Sequence, residues 1–316
     1  MHKLKFSYFQ LTFGQQETYR DPGKTYERLK RCGYDAIELC PPKGRYGLGV
    51  GMEEWLQTHA KLTRESGLAV SCLNECWGEM WDPFSATNQT LTEGGIQKSD
   101  LPPVNHKTLT EPKSAQRAID ETKVTVDAAA ELGAPCVTVA VAIHETVTRD
   151  TVLQFSDTAV ETLRTMCAHA ASKKVKLVFE ATNHLEMGKY VNTVANHKRL
   201  IEKTGCDNLG IQIDWFHAGF EELNPYEAVV DAQPLLWHLH MRDTNSLTPG
   251  MGNTDWKAVI RALKKTGYQG YCCIESAPMI PDADSAAKLG IDYLKLMEQV
   301  ADYQMSAEFP NGFAVV

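Results

Sequence analysis

The chain has 316 residues, of which 43% are hydrophobic and 23% charged, and its net charge at pH 7 is −8. This composition is ordinary for a globular protein with a large buried core, and it excludes disordered, collagen-like and coiled-coil chains. The acidic balance also disfavours a nucleic-acid-binding protein, because affinity for phosphate backbones depends on clustered Lys and Arg.

The N-terminal segment and the cysteines indicate the cellular localisation of the protein. The opening segment MHKLKFSYFQLTF contains polar residues and no small-residue cleavage site, so we interpret it as a first strand and not as a secretion signal. No apolar run approaches the ~18 residues of a membrane span. The nine cysteines are scattered without a Cys-x-x-Cys pair, which is typical of reduced thiols. We therefore expect a cytoplasmic protein without membrane partners.

Short β-rich runs alternate with amphipathic stretches along nearly the whole chain. Eight candidate strands lie at residues 3–11, 35–40, 68–74, 136–143, 175–181, 209–214, 235–241 and 270–276. Helical periodicities follow them near residues 21–32, 52–66, 112–132, 150–173, 191–204, 225–232, 254–266 and 283–303. Eight strand–helix units predict an α/β protein with a single (β/α)8 barrel. An open doubly wound sheet is the alternative, but TFGQQETYRDPG after the first strand is not a Gly-rich phosphate turn.

Two segments depart from a minimal barrel. We predict one domain over residues 1–303, with an insert at residues 75–110 and a tail at residues 304–316. The insert follows the third strand, on the face where βα loops form the pocket of such a barrel. A loop of this length is typical of a lid or a partner contact.

Chemically active side chains stand where the predicted strands end. Strands two and three end at Glu38 and Asn74, and strands five to eight end at Glu180, Asp214, His240 and Glu275. Barrel closure would bring the last four together. Three neighbouring carboxylates repel one another unless a cation lies between them. Structural ion pairs are the alternative, but no Arg or Lys ends strands five, six or eight. We therefore predict one divalent ion, Mn first, with Mg or Co as alternatives.

Four segments resemble those of the xylose-isomerase-like barrels, within them the branch of ketose 3-epimerases, inosose dehydratases and sugar phosphate isomerases. They are FEATNHLE, QIDWFHAG, WHLHMRD and GNTDWKAVIRALKKTGYQGYCCIES, in this order at the strand ends. The resemblance implies that Glu180, Asp214, His240 and Glu275 hold one divalent metal. It also implies that Glu180 and Glu275 transfer protons, and that Glu186 and His217 contact a carbohydrate substrate.

One position departs from this resemblance. Ketose epimerases typically place a substrate-binding Arg six residues after the metal-binding His, where this chain has Ser246. Arg242 is the candidate replacement. Aromatic residues in the loops at the pocket face, Trp77, Trp81, Phe84 and Trp215, suit a sugar face or an aglycone ring, or else pack the insert onto the barrel.

The predicted metal implies proton abstraction next to a carbonyl, with the enediolate stabilised by the cation. Return of the proton gives an epimerase or isomerase, whereas loss of a β-substituent gives a lyase such as an inosose dehydratase or the large subunit of a C-glycoside deglycosidase. His144, after strand four, is either a second base that favours elimination or a pocket-wall residue. A non-catalytic sugar-binding barrel is the alternative of another class. We expect a homo-oligomer or a complex with a smaller subunit.

Overall fold

The computed structural model describes residues 2–43, 47–75, 112–139, 157–184 and 191–308. Within them, eight strands form a closed barrel in chain order. Their bounds are β1 (Lys5–Phe9), β2 (Ala36–Leu39), β3 (Ala69–Asn74), β4 (Cys136–Val139), β5 (Lys176–Glu180), β6 (Leu209–Asp214), β7 (Leu236–Met241) and β8 (Tyr271–Ile274).

All neighbouring strands pair in parallel, and β8 returns to β1 with Ser7 opposite Cys273. The predicted single (β/α)8 barrel is therefore confirmed. Because every strand runs in the same direction, all eight carboxyl ends lie at one end of the barrel, and residues that end neighbouring strands come close together.

Helices surround the barrel. Those in the described residues are α1 (Gln15–Arg20), α2 (Pro22–Cys32), α3 (Met52–Ser66), α4 (Pro112–Leu132), α5 (Asp157–Ser172), α6 (Val194–Thr204), α7 (Trp215–Glu221), α8 (Pro225–Asp231), α9 (Trp256–Lys265) and α10 (Ala283–Glu308). A short 3₁₀ turn at Gln10–Phe13 precedes α1. Within the described ranges, no helix combines the length and the apolar composition that a membrane span requires.

Helix α9 shows how the sequence specifies these elements. Asp255 caps its N-terminus, because the carboxylate accepts a hydrogen bond from the backbone N–H of Ala258. Apolar side chains then recur at spacings of three and four and pack onto the barrel: Trp256, Val259, Ile260 and Leu263. Gly33 and Gly205 directly follow α2 and α6 as their C-terminal caps, and their positive φ angles of 84° and 66° suit glycine.

The structure differs from the sequence-based prediction at three helices. Helices α1 and α7 were not expected, and α10 continues to Glu308 instead of ending near residue 303. The last helix is longer because its buried face continues through Ala301 and Met305, and because Arg261 forms an ion pair with Glu308 at 2.6 Å. The predicted tail therefore contributes residues 304–308 to this helix.

Candidate metal centre

The four predicted metal ligands lie together at the carboxyl end of the barrel. Glu180 and Asp214 end β5 and β6, His240 is the penultimate residue of β7, and Glu275 directly follows β8. All four are buried, and one ligand atom from each lies within 4.8 Å of the others. His240 Nδ1 is the centre of the cluster, 2.7 Å from Glu275 Oε2, 3.6 Å from Glu180 Oε1 and 4.0 Å from Asp214 Oδ2.

The charges of this cluster are strongly coupled. Burial disfavours a charged imidazole, but the carboxylates of Glu38 and Glu275 hold the pKa of His240 well above its usual value. Burial also opposes ionisation of Glu275, yet the charges of His240 and Arg242 lower its pKa. For Glu180, burial outweighs the attraction of His240 and raises the pKa. Without a cation, this cluster is therefore neutralised by protons and by Arg242.

Asp214 has two roles that the sequence-based prediction did not separate. Its Oδ1 caps α7 by accepting hydrogen bonds from the backbone N–H groups of Phe216 and His217, at 2.7 and 3.1 Å. Its Oδ2 is buried, accepts no hydrogen bond from the described residues, and lies 3.1 Å from Arg242 Nε. The helix cap therefore leaves one carboxylate oxygen directed toward the cluster.

The two predicted substrate-binding residues of the described chain, His217 and Arg242, contact each other beside the cluster. Arg242 Nη2 lies 3.0 Å from His217 Nε2, and because a guanidinium can only donate, Nε2 accepts. Burial lowers the pKa of His217 to about 3, so the ring is neutral. The neutral ring then carries its proton on Nδ1, 2.7 Å from the side-chain amide of Asn183, so the amide oxygen is the group that accepts there. The prediction missed this contact although Asn183 stands in the segment FEATNHLE.

Ser246, at the position of the expected epimerase Arg, is a partner of the candidate replacement. Arg242 Nη1 donates to Ser246 Oγ at 3.3 Å, and the guanidinium lies over the Phe216 ring at 4.3 Å from its centroid. These contacts orient the guanidinium between the cluster and the loop after β7. The role of Arg242 as a replacement for the epimerase Arg stays a prediction.

Trp215 does not face the pocket. It begins α7, is 3% exposed, and packs against Trp256 and Tyr226 with ring centroids 5.8 and 5.0 Å away. Its indole N–H donates to Thr254 Oγ1 at 3.0 Å. The idea that this ring could lie against a sugar is therefore wrong, because α7 turns the side chain toward the surrounding helices. Three other predicted site residues lie outside the described residues: Trp77, His144 and Glu186. The loop aromatics Trp81 and Phe84 also lie outside them.

A second buried group lies below the first. Glu38 Oε2 is 2.6 Å from His238 Nε2, and both carboxylate oxygens lie 3.0 to 3.1 Å from His240 Nε2. Asn74 Nδ2 donates to Glu38 Oε1 at 3.0 Å. From the sequence, Glu38 and Asn74 are strand-end residues without an assigned role, and His238 is not among the predicted site residues. The signal for His238 was its spacing from His240, since residues two apart on a strand point to the same face.

The upper cluster has the donor set of a divalent-cation site. Three carboxylates and one imidazole offer mainly oxygen ligands, which suit Mn²⁺, Mg²⁺ or Co²⁺ better than structural zinc. Asp214 Oδ2 is buried and accepts no hydrogen bond from the described residues, so its lone pairs are available to a cation in addition to the nearby charge of Arg242. The residues present therefore fit the predicted metal.

Comparison with known proteins agrees with this architecture. The family model described as xylose isomerase-like TIM barrel matches residues 26–297. A D-psicose 3-epimerase of Enterocloster bolteae is 33% identical over 117 residues, 37% of this chain and 38% of the relative. The 3-dehydro-D-guloside 4-epimerase of Escherichia coli is 28% identical over 135 residues, 43% of this chain and 51% of the relative. The matched regions thus span about half or less of these relatives.

Solved structures extend the likeness to nearly the whole chain. A structure of L-ribulose 3-epimerase has a TM-score of 0.76 at 19% identity and covers 98% of this chain and 99% of its own. The 3-keto-D-glucoside 4-epimerase of E. coli has a TM-score of 0.69 at 18% identity and covers 93% and 100%. At these identities the structural likeness establishes the fold, and the family match covers most of the barrel. The chain belongs to the xylose isomerase-like TIM barrel family.

Proposed function

We propose that this protein is a divalent-metal-dependent epimerase or isomerase of a keto-sugar. The observation that carries the proposal is the convergence of Glu180, Asp214, His240 and Glu275, all buried, with ligand atoms within 4.8 Å of one another. The names of the relatives, ketose 3-epimerases and a 3-dehydro-D-guloside 4-epimerase, support a keto-sugar substrate.

Glu180, Asp214, His240 and Glu275 would hold the cation. When bound, a divalent cation supplies electrophilic polarisation of a carbonyl oxygen and so acidifies the neighbouring C–H group. Mn²⁺, Mg²⁺ and Co²⁺ all accept carboxylate oxygens together with one imidazole. Mn²⁺ is our first choice among them.

Glu180 and Glu275 are the candidates for proton transfer. They come from β5 and β8, with β6 and β7 between them, so they border the cluster from its two sides. One carboxylate can then take the proton from the carbon next to the carbonyl, and the other can return a proton to the opposite face of the same carbon, which gives an epimer. Return to the neighbouring carbon gives an aldose–ketose isomer.

Arg242 and His217 are the candidates for holding substrate hydroxyls. Both are buried beside Asp214 and joined to each other by a hydrogen bond of 3.0 Å. A hydroxyl group that reaches Arg242 would meet a donor already oriented by Ser246 and Asp214. Glu186 and Trp77 stay predictions for the same substrate. His144, which as a second base would favour elimination, lies outside the described residues, and no contact of the described residues favours a lyase.

A substrate screen of the metal-loaded protein in deuterated water tests this proposal. Free ketoses, inososes and 3-keto-glycosides are incubated with protein that carries Mn²⁺, and products are followed by NMR. We expect an epimer or isomer that carries solvent deuterium at the reacting carbon, formed only with the metal present. Elimination products without epimer, or turnover that is unaffected by complete metal removal, would contradict the proposal.

A further inference from the structure

We propose that Glu38 is a positioning residue that directs His240 toward the metal. The inference rests on the proposed metal centre and adds a residue that does not touch the ion. In the proposed arrangement, Glu38 accepts a hydrogen bond from the Nε2–H group of His240. The Nδ1 lone pair of the neutral ring then points to the metal position among Glu180, Asp214 and Glu275.

The two ring nitrogens of His240 face different groups. Nε2 lies 3.0 Å from Glu38 Oε1 and 3.1 Å from Glu38 Oε2, whereas Nδ1 lies 2.7 Å from Glu275 Oε2. A neutral imidazole has one N–H donor and one lone pair. Both nitrogens of His240 face carboxylates, so without a cation each can donate a hydrogen bond. A cation among the carboxylates would take the Nδ1 lone pair in place of the proton there, and the remaining proton would stay on Nε2, where Glu38 accepts it.

Glu38 is itself fixed from three directions. Asn74 Nδ2 donates to Oε1 at 3.0 Å, and His238 Nε2 lies 2.6 Å from Oε2. Glu38, His238 and His240 are all fully buried, and β2 and β7 lie apart in the barrel order, so these bonds cross the barrel interior. Because its partners fill the space around it, the carboxylate cannot swing away from His240 without leaving a buried donor unsatisfied.

The same pattern governs metal sites in general. A histidine ligand usually donates its second N–H to a carboxylate or carbonyl, which fixes the tautomer and the ring orientation, and losing that partner typically costs about 10–100-fold in metal affinity or activity. Here a long-range carboxylate from β2 would supply this support to a ligand from β7.

A second metal ion is the competing interpretation. Glu38, His238, His240 and Cys273 also offer ligand atoms within 4.8 Å of one another. Both groups include His240, so two ions would require both of its ring nitrogens to bind metal and Nε2 to lose its proton. Our inference instead predicts one ion per chain, with the lower group serving as the hydrogen-bonded support.

The test compares Mn²⁺ binding by the native protein and by Glu38→Gln, measured by titration calorimetry and elemental analysis. The glutamine offers one oxygen in place of two, so at least one of its three donor neighbours meets an amide nitrogen. We expect a Kd about 10–100-fold higher and an altered Co²⁺ absorption spectrum. His238→Gln is the matched control in the same buried layer, because the new amide N–H can still donate to Glu38 Oε2 and has no bond to His240; its Kd should stay within about threefold.

The outcomes separate this inference from the proposed function. If the native protein binds no divalent ion, the proposed function fails. If it binds one ion but Glu38→Gln binds it equally well, or His238→Gln weakens binding as much, only the role of Glu38 is overturned. Two ions per native chain also overturn it.

The tautomer of His240 can also be measured by NMR on the native protein, without any variant. In ¹⁵N-histidine-labelled native protein loaded with diamagnetic Mg²⁺, we expect His240 to carry its proton on Nε2. A proton on Nδ1 would overturn the inference.

Discussion

Arg242 Nε lies 3.1 Å from Asp214 Oδ2, so a predicted substrate-binding residue forms a buried ion pair with a predicted metal ligand. The guanidinium also donates to His217 and Ser246. Neither side chain can therefore be changed without affecting the other, since removing one charge leaves its partner buried and uncompensated. Variants at these positions separate the metal-binding and substrate-binding roles only when their effects on metal content and on kinetics are measured together.

Arg242→Lys should weaken substrate recognition more than turnover. The lysine keeps the positive charge beside Asp214 but cannot donate simultaneously to His217 and Ser246. Loss of a hydrogen bond to a charged group is worth about 1.5–3 kcal/mol, so kcat/KM should fall about 10–100-fold, chiefly through KM. Steady-state kinetics with metal content measured in parallel check this. The matched control is Arg31→Lys at an exposed ion pair with Asp284, and an unchanged KM for Arg242→Lys would contradict the assignment.

Two substitutions at Asp214 should separate helix capping from metal binding. Asparagine caps a helix as well as aspartate does, whereas alanine loses about 1 kcal/mol of cap energy. We expect Asp214→Asn to abolish the rise in Tm that Mn²⁺ gives the native protein while keeping the capping contribution that Asp214→Ala loses. Thermal melts with and without Mn²⁺ measure both effects. A metal-induced rise of native size in the Asn variant would show that Asp214 is not a ligand.

Glu275→Gln should lose activity while it retains a metal ligand oxygen. The amide cannot exchange a proton with the substrate, and general acid–base catalysis is typically worth about 10²–10⁴-fold in rate. We therefore expect kcat to fall within that range in protein whose metal content is confirmed by elemental analysis. Glu65→Gln, the same change at an exposed position on α3, is the control. Turnover near the native value in metal-loaded Glu275→Gln would exclude Glu275 as a proton-transfer group.

The sequence was sufficient to predict the barrel and the four-residue cluster because both follow from regular periodicity. Once strands five to eight are placed in order, closure alone brings Glu180, Asp214, His240 and Glu275 together. Side-chain partners across the barrel or within irregular loops were not predictable in this way. Glu38 reaches His240 from β2, a contact set by the barrel's cross-section and not by neighbouring strands.

The short helix α7 and the loop after β7 show the same limit. Helix α7 has only seven residues and depends on the Asp214 cap, so its periodicity is too short to recognise. The loop that places Ser246 is held by Asp243, whose carboxylate accepts hydrogen bonds from the backbone of Thr244, Gly250 and Thr254. The backbone course of this loop depends on individual side-chain contacts, which produce no periodic pattern in the sequence.

Gly210→Ala should destabilise the barrel without changing the metal centre. A Cβ atom at Gly210 would lie 2.3 Å from Trp237 Cε3 and 2.8 Å from the Leu235 carbonyl oxygen, so the β6–β7 contact must shift. Overpacking of this kind costs about 1–3 kcal/mol. Gly219→Ala is the matched control, because no described atom lies within 4 Å of its Cβ position and alanine favours a helix. Urea unfolding and Mn²⁺ titration of both variants check this; unchanged stability of Gly210→Ala would contradict it.

Stability should fall in mild acid because two histidines outside the metal centre are buried in the neutral form. Burial lowers the pKa of His59 on α3 and of His197 on α6 from 6.5 to about 3. Between these values the unfolded chain binds a proton that the folded chain excludes, so the free energy of unfolding is fully retained above pH 6.5 and decreases as the pH falls toward 3. At pH 5 the loss is about 2 kcal/mol for each histidine.

Substitution of these histidines tests the assignment. We expect His59→Gln and His197→Gln each to reduce the difference in unfolding free energy between pH 7.5 and pH 5 by about 2 kcal/mol, whatever their stability at pH 7.5. The two residues lie on different helices, so the double variant should show about the sum of the two reductions. Urea titrations at the two pH values give these differences. A pH dependence as steep in the double variant as in the native protein would mean that other groups take up the protons on unfolding.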